Sequence, residues 1–107
     1  MTKKVLFICG YNIDRSTTAE DLFKGKEGFE VKSAGTRLGA RNVVSEELID
    51  WADTIFVMEQ EQMDALILIN PQSKGKTIVL DIEDSYKRGD PRLVKILREK
   101  LARYVEI

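Results

Sequence analysis

One stretch near the N-terminus constrains the fold more than any other part of the sequence. An apolar run over residues 5–8 ends at Cys9, and Arg15 follows after a short loop. Continuous apolar runs of this length are typical of strands that are buried on both faces of a parallel sheet. Ser16 and the helical pattern after it indicate a helix start. The stretch therefore predicts a buried strand, a tight loop and a helix N-terminus.

The rest of the chain continues this alternation of strands and helices. Further strands are expected over residues 29–33, 54–58 and 77–80. Residues 29–33 alternate between apolar and polar side chains, which is typical of an edge strand with one wetter face. Strands that alternate with helices favour an α/β domain built on an open four-stranded parallel sheet.

Four helices are expected between and after these strands. The first can begin with a capping box between Thr17 and Glu20. The second is expected after Ser45 as N-cap, and the third over residues 60–69. Asp90 and Pro91 are typical of the N-cap and first position of the last helix. The inner stripe of that helix is expected to comprise Leu93, Leu97, Leu101 and Tyr104.

The loop after the first strand combines groups that suit an anion. Its backbone N–H groups and the following helix dipole attract negative charge, and the Arg15 guanidinium matches two phosphate oxygens. A Cys9 thiolate beside these groups would be stabilised as a nucleophile. The alternative is a cysteine that is buried as a small apolar residue. Ligands of parallel sheets bind at the carboxyl ends of the strands, so Cys9 and loop 81–89 should share one edge.

Composition narrows the classes of function and partner. The net charge of −1 gives no reason to expect nucleic acid or an anionic membrane as a partner. The single cysteine and the absence of histidine exclude a Ser-His-Asp triad and argue against a structural zinc or other metal site. No apolar run approaches the roughly 20 residues of a membrane span, and no signal-peptide pattern is recognised. We expect a reducing, cytoplasmic setting.

Several motifs, in order along the chain, resemble the low-molecular-weight protein tyrosine phosphatases. The first runs from the apolar strand through Cys9-x-x-Asn12-Ile13-x-Arg15-Ser16 to Ala19-Glu20, and Ser33-Ala-Gly-Thr36 is similar to the next signature. The segment from Asp53 to Met58 and the triplet Asp84-Ser85-Tyr86 resemble later family motifs. The resemblance implies one phosphatase-like domain over residues 1–107, strand order 2-1-3-4, and phosphomonoester hydrolysis through a phosphocysteine without cofactor or metal.

The resemblance also implies a role for each site residue. Cys9 would be the nucleophile, Arg15 would stabilise the transferred phosphoryl group, and Asp84 would be the general acid. The alternative acid is Asp81, which is chosen because it directly ends the fourth predicted strand. Tyr86 would form a wall for an aryl substrate. The phosphate-binding residues would be Gly10, Tyr11, Asn12, Ile13, Asp14, Arg15 and Ser16.

Four positions depart from the family pattern. Tyr11 replaces a glycine, Asp14 replaces a cysteine, and Thr17 and Ser85 each replace a proline. The Asp14 carboxylate either lies near the thiolate, where it would repel phosphate, or points outward to a basic partner. The resemblance implies a phosphorylated protein or a small aryl phosphate as substrate, and it favours tyrosine over arginine phosphate because arginine-specific members of the family tend to carry threonine where this chain has Ile13. The alternatives are a weakened phosphate- or phosphoprotein-binding module and an arsenate reductase that relies on an external thiol.

Overall fold

A four-stranded parallel sheet forms the centre of the molecule. The computed structural model describes residues 2–105, so residues 1, 106 and 107 of the expected domain lie outside the described part. The strand order β2-β1-β3-β4 confirms the predicted fold class and topology. The strands are β1 (Lys3–Cys9), β2 (Phe29–Gly35), β3 (Thr54–Val57) and β4 (Thr77–Val79).

Helices cover both faces of this sheet. They are α1 (Arg15–Leu22), α2 (Glu46–Trp51), α3 (Gln60–Ile69) and α4 (Pro91–Leu101), and a 3₁₀ helix (Pro71–Lys76) follows α3. Ser45 caps α2 as predicted, because its hydroxyl accepts a hydrogen bond from the Leu48 N–H at 3.2 Å. Among residues 2–105, none of the helices has the length and apolar character required to cross a membrane.

The side chains of β1 divide between two core clusters, one on each face. Phe7 and Cys9 pack with residues of α1 and α4, whereas Leu6 and Ile8 pack with residues of α2 and α3. This alternation follows from the two-residue period of a strand. Because residues 5–8 have no exposed surface, β1 is the centre of both clusters. Cys9 therefore ends the central strand on the α1 face.

The last helix confirms most of its predicted pattern. The Asp90 carboxylate accepts a hydrogen bond from the Arg92 N–H at 2.8 Å, so Asp90 is the N-cap. Leu93, Leu97 and Leu101 are fully buried. The prediction for Tyr104 is wrong, because α4 ends at Leu101 and Tyr104 is half-exposed in the turns that follow.

The predicted capping box at the start of α1 is also wrong. The helix begins earlier, at Arg15, and the Thr17 hydroxyl donates to the backbone carbonyl groups of Ile13 and Asp14. Glu20 instead accepts a hydrogen bond from the Ser33 hydroxyl on β2. The earlier start matters for the site, because it places Arg15 in the first turn of the helix.

We expect Leu97→Ala to destabilise the protein by about 2–5 kcal/mol, because Leu97 is fully buried between α4 and the sheet and its removal leaves a cavity. Urea unfolding followed by circular dichroism measures this loss. The control is Leu68→Ala on α3, where the leucine is 87% exposed and the expected change is within about 0.5 kcal/mol. Equal losses in the two variants would contradict this description of the core.

Candidate active site

A small pocket opens where β1 passes into α1. Its volume is about 60 Å³, enough for a few water-sized groups and thus for a phosphoryl group rather than a whole aryl phosphate. The loop between the two elements and residue 84 of the loop after β4 form its walls. The lining residues are Cys9, Gly10, Tyr11, Ile13, Asp14, Arg15 and Asp84. Cys9 and loop 81–89 thus lie at one edge of the sheet, as expected.

The Cys9 sulfur is surrounded by hydrogen-bond donors. Its Sγ lies 3.0 Å from the Ser16 hydroxyl and accepts a hydrogen bond from the Asn12 N–H at 3.2 Å. The Asn12 side-chain amide donates to the Ser16 oxygen at 2.9 Å, which leaves the hydroxyl hydrogen free to point at the sulfur. Asn12 adopts a left-handed conformation with φ of 58°, which aims its N–H back at Cys9. The sulfur thus has polar partners in both the loop and the first turn of α1.

Backbone N–H groups of the loop remain available to a ligand. Within residues 2–105, the N–H groups of Tyr11, Ile13 and Asp14 donate to no protein acceptor. The first turn of α1 adds N–H groups that have no partner within the helix, and it places the positive end of the helix dipole here. The loop therefore has the properties of an anion cradle.

Arg15 is a buried cation, with only 4% of its side chain exposed. Its Nη1 donates to the Glu59 carboxylate and to the carbonyl of Ile82, both at 2.6 Å. Its Nε lies 3.7 Å from the Asp84 carboxylate, and its Nη2 donates to no acceptor in the described part of the protein. Nη2 thus remains available for an oxygen in the pocket, whereas Nε already has the Asp84 carboxylate as a distant partner.

Glu59 is a site residue that the sequence interpretation missed. It lies two residues after β3 and is the N-cap of α3, where its N–H donates to the Gln62 side-chain oxygen at 2.6 Å. The signal was present, because an acidic residue at the end of a strand lies at the same sheet edge as Cys9 and three positions before a glutamine. Its carboxylate compensates the charge of the buried Arg15.

The segment that follows β2 supports the anion cradle through backbone hydrogen bonds. The N–H groups of Thr36, Arg37 and Arg41 donate to the carbonyls of Cys9, Gly10 and Tyr11 at 3.0–3.1 Å. The approach is so close that a Cβ at Gly35 would lie 2.5 Å from the Gly10 oxygen and 2.9 Å from the Asn12 nitrogen. Only glycine fits there, which explains the position of glycine in the Ser33-Ala-Gly-Thr36 motif.

The Asp14 carboxylate is held by the loop after β4. Its Oδ1 accepts a hydrogen bond from the Arg88 backbone N–H at 2.9 Å. The Thr18 hydroxyl accepts one from the Gly89 N–H at 3.0 Å and donates to the Asp14 carbonyl at 2.7 Å. Of the two orientations considered for Asp14, the structure thus has the partnered one, with a backbone N–H in place of a basic side chain.

The Arg88 side chain adds a further tether between this loop and α1. Its guanidinium donates two hydrogen bonds of 3.0 Å to the Asp21 carboxylate. These hydrogen bonds hold the pKa of the Asp21 carboxyl below its ordinary value. The end of loop 81–89 is therefore joined to α1 at three points, namely Asp14, Thr18 and Asp21.

The structure separates the two candidates for the general acid. Asp84 lines the Cys9 pocket, and 67% of its side chain is exposed. Asp81 instead lines two other surface cavities, next to Lys100. Geometry thus favours Asp84.

Tyr86 lies elsewhere than expected. It is absent from the walls of the Cys9 pocket and is partly buried against the core cluster of α1 and α4. The Arg92 guanidinium lies over its ring at 5.4 Å from the centroid. The expectation that Tyr86 forms a wall of the Cys9 pocket is therefore corrected. Packing against α4 stabilises the apolar ring more than exposure to a polar pocket would.

No protein-family model and no curated protein matches the sequence. Solved structures do match, beginning with the tyrosine phosphatase Wzb from Escherichia coli K30 in complex with phosphate (TM-score 0.80, 22% identity, 97% of this chain and 96% of that chain). A low-molecular-weight protein tyrosine phosphatase from T. tengcongensis matches with a TM-score of 0.73 and 22% identity, over 94% of each chain. The YwlE arginine phosphatase from Geobacillus stearothermophilus matches with 0.70 and 22%, over 98% of this chain and 99% of that chain. The fold inferred from the motifs is confirmed.

We expect Gly35→Ala to weaken the binding of inorganic phosphate by about 10-fold or more, because a Cβ there would lie 2.5 Å from the Gly10 oxygen and must displace the loop that holds the ligand. Isothermal titration calorimetry measures the affinity, and thermal unfolding verifies that the variant is folded. Gly75→Ala is the control, since a Cβ at Gly75 meets nothing within 4 Å. Phosphate affinity that is equal in the two variants would show that the cradle does not depend on this close approach.

Proposed function

We propose that this chain, which has the fold of the low-molecular-weight protein tyrosine phosphatases, is a cysteine-dependent phosphomonoesterase. The observation that carries the proposal is the convergence of three groups on one small pocket: the Cys9 sulfur, the unpartnered loop N–H groups and the guanidinium of Arg15. Such a pocket supplies a nucleophile and a matching positive field for a phosphoryl group. We further propose that residues 1–107 act as one domain.

Binding would use donors that the protein leaves free or holds only at long distance. The N–H groups of Tyr11, Ile13 and Asp14 would hold the phosphoryl oxygens, together with Nη2 of Arg15 and with its Nε, which would exchange its contact with Asp84 for the ligand. A guanidinium that is already fixed by Glu59 loses little freedom when it binds a ligand. As the negative charge spreads over the equatorial oxygens in the transition state, these donors stabilise it.

The first chemical step would form a phosphocysteine. The Cys9 thiolate attacks phosphorus, so that an S–P bond forms while the ester P–O bond breaks. The leaving oxygen takes a proton from Asp84, which is within reach because it lines the same pocket. The Ser16 hydroxyl stabilises the thiolate before attack and after release.

The second step would return the free enzyme. Water gives a proton to the Asp84 carboxylate and attacks phosphorus, a new P–O bond forms and the S–P bond breaks. Inorganic phosphate leaves and the thiolate is restored, with Ser16 again as its donor. Asp84 thus acts as acid and then as base, which matches its exposed position at the pocket mouth.

A phosphate- or phosphoprotein-binding module is the second candidate. The observation that favours it is that Asp14 lines the pocket, although the Arg88 N–H holds its carboxylate. A negative charge there opposes a phosphate dianion and weakens both binding and attack. The two candidate functions differ in that only a phosphomonoesterase hydrolyses the phosphate ester that it binds.

We expect the protein to hydrolyse p-nitrophenyl phosphate in the presence of a metal chelator, and we expect Cys9→Ser to abolish turnover because the nucleophile is lost. Asp84→Asn should lower kcat by about 10²–10⁴-fold with phenyl phosphate, whose leaving group needs a proton. Asp81→Asn is the matched control and should retain activity. A larger loss in Asp81→Asn would reverse the assignment of the acid.

The binding-module alternative predicts a different outcome in the same assay. Wild-type protein would then bind vanadate without turnover, and Asp14→Cys would gain activity because the opposing carboxylate is removed. Turnover by the wild type that Cys9→Ser abolishes would exclude this alternative.

A further inference from the structure

We propose that Tyr11 determines substrate specificity by binding an aryl group at the mouth of the Cys9 pocket. This inference rests on the proposed phosphatase function and concerns the part of the substrate that is not phosphate. The pocket, at about 60 Å³, holds a phosphoryl group only. Whatever group carries the phosphate must therefore lie against the residues at its mouth.

Two apolar side chains surround that mouth. Tyr11 is 47% exposed and Ile13 is 55% exposed, and both line the pocket beside Cys9. The other lining residues are charged or small. Exposed apolar surface next to an anion cradle is typical of a site that binds an amphipathic ligand, whose charged end enters the cradle.

The Tyr11 ring is supported before any ligand arrives. The guanidinium of Arg37 lies over the ring at 5.5 Å from its centroid, and Arg37 is in turn paired with Glu61 at 2.7 Å. The Tyr11 carbonyl accepts a hydrogen bond from the Arg41 N–H at 3.0 Å, which fixes the backbone. A ring that is held in this way loses little entropy when a ligand packs against it.

Other aromatic side chains do not compete for this role. Tyr86 packs against the core under Arg92, and Trp51 packs on the α2 face of the sheet with Lys32 over its ring. Within residues 2–105, Tyr11 is the one aromatic residue that lines the Cys9 pocket. The substrate class that fits is an aryl phosphate, such as a phosphotyrosyl side chain, since two aromatic rings pack better than a ring and an alkyl chain.

The test compares two ligands that differ only in the group attached to phosphorus. Calorimetry gives the affinities of phenylphosphonate and methylphosphonate for the wild-type protein and for Tyr11→Phe and Tyr11→Ala. We expect the wild type and Tyr11→Phe to prefer phenylphosphonate, and we expect Tyr11→Ala to lose about 3- to 10-fold of that preference with little change for methylphosphonate. Tyr104→Ala is the control, since Tyr104 is equally exposed at 48% but lies outside the pocket.

Each result has a defined meaning. An unchanged preference in Tyr11→Ala would overturn the inference and leave the phosphatase proposal intact. If the wild type binds neither phosphonate nor inorganic phosphate, the proposed function fails and the inference fails with it. If Tyr11→Ala also loses affinity for methylphosphonate, the Tyr11→Leu variant, which keeps the bulk of the side chain, provides the test. A preference for phenylphosphonate equal to that of Tyr11→Phe would overturn the aromatic role of Tyr11. A lower preference would support it.

Discussion

The site depends on the interactions that compensate the buried guanidinium of Arg15. A charge with so little exposed surface is stable only if it is compensated, and Glu59 and the Ile82 carbonyl do this on one nitrogen. These three residues follow β1, β3 and β4, so one side chain joins the ends of three strands. The same interaction uses only Nη1, so Nε and Nη2 of this pocket-lining residue make no hydrogen bond within residues 2–105.

The fold was predictable from sequence to a large extent. A continuous apolar run such as residues 5–8 has few alternatives to a central parallel strand, and the alternation of strands and helices indicates an open parallel α/β sheet, whereas the strand order was implied by the family resemblance. Local hydrogen bonds were harder to predict. Thr17 and Glu20 have the spacing of a capping box, but Ser33 on β2 offers Glu20 a partner that only the folded sheet brings near. Tyr104 fits the helical period but lies beyond the helix end.

The candidate site was predictable where backbone geometry decides and less so where side chains compete. The strand–loop–helix pattern places Cys9 and Arg15 without knowledge of any tertiary contact. The partner of the Asp14 carboxylate is a backbone N–H 74 positions away, which no local pattern indicates. The Tyr86 ring packs against the core beneath Arg92 and not against the Cys9 pocket. Glu59 could be recognised in the sequence as an acidic residue at the end of a predicted strand, but its pairing with Arg15 is seen only in the folded structure.

The tethers from α1 to residues 88 and 89 have a consequence for motion. Because Asp14, Thr18 and Asp21 bind the end of loop 81–89, that end is expected to move together with α1. The freedom that remains belongs to the segment around Asp84, which is anchored on both sides, at Ile82 through Arg15 and at Arg88. A short segment that is fixed at both ends has few conformations available. Asp84, the proposed proton donor, would therefore lose little conformational entropy when it meets a leaving group.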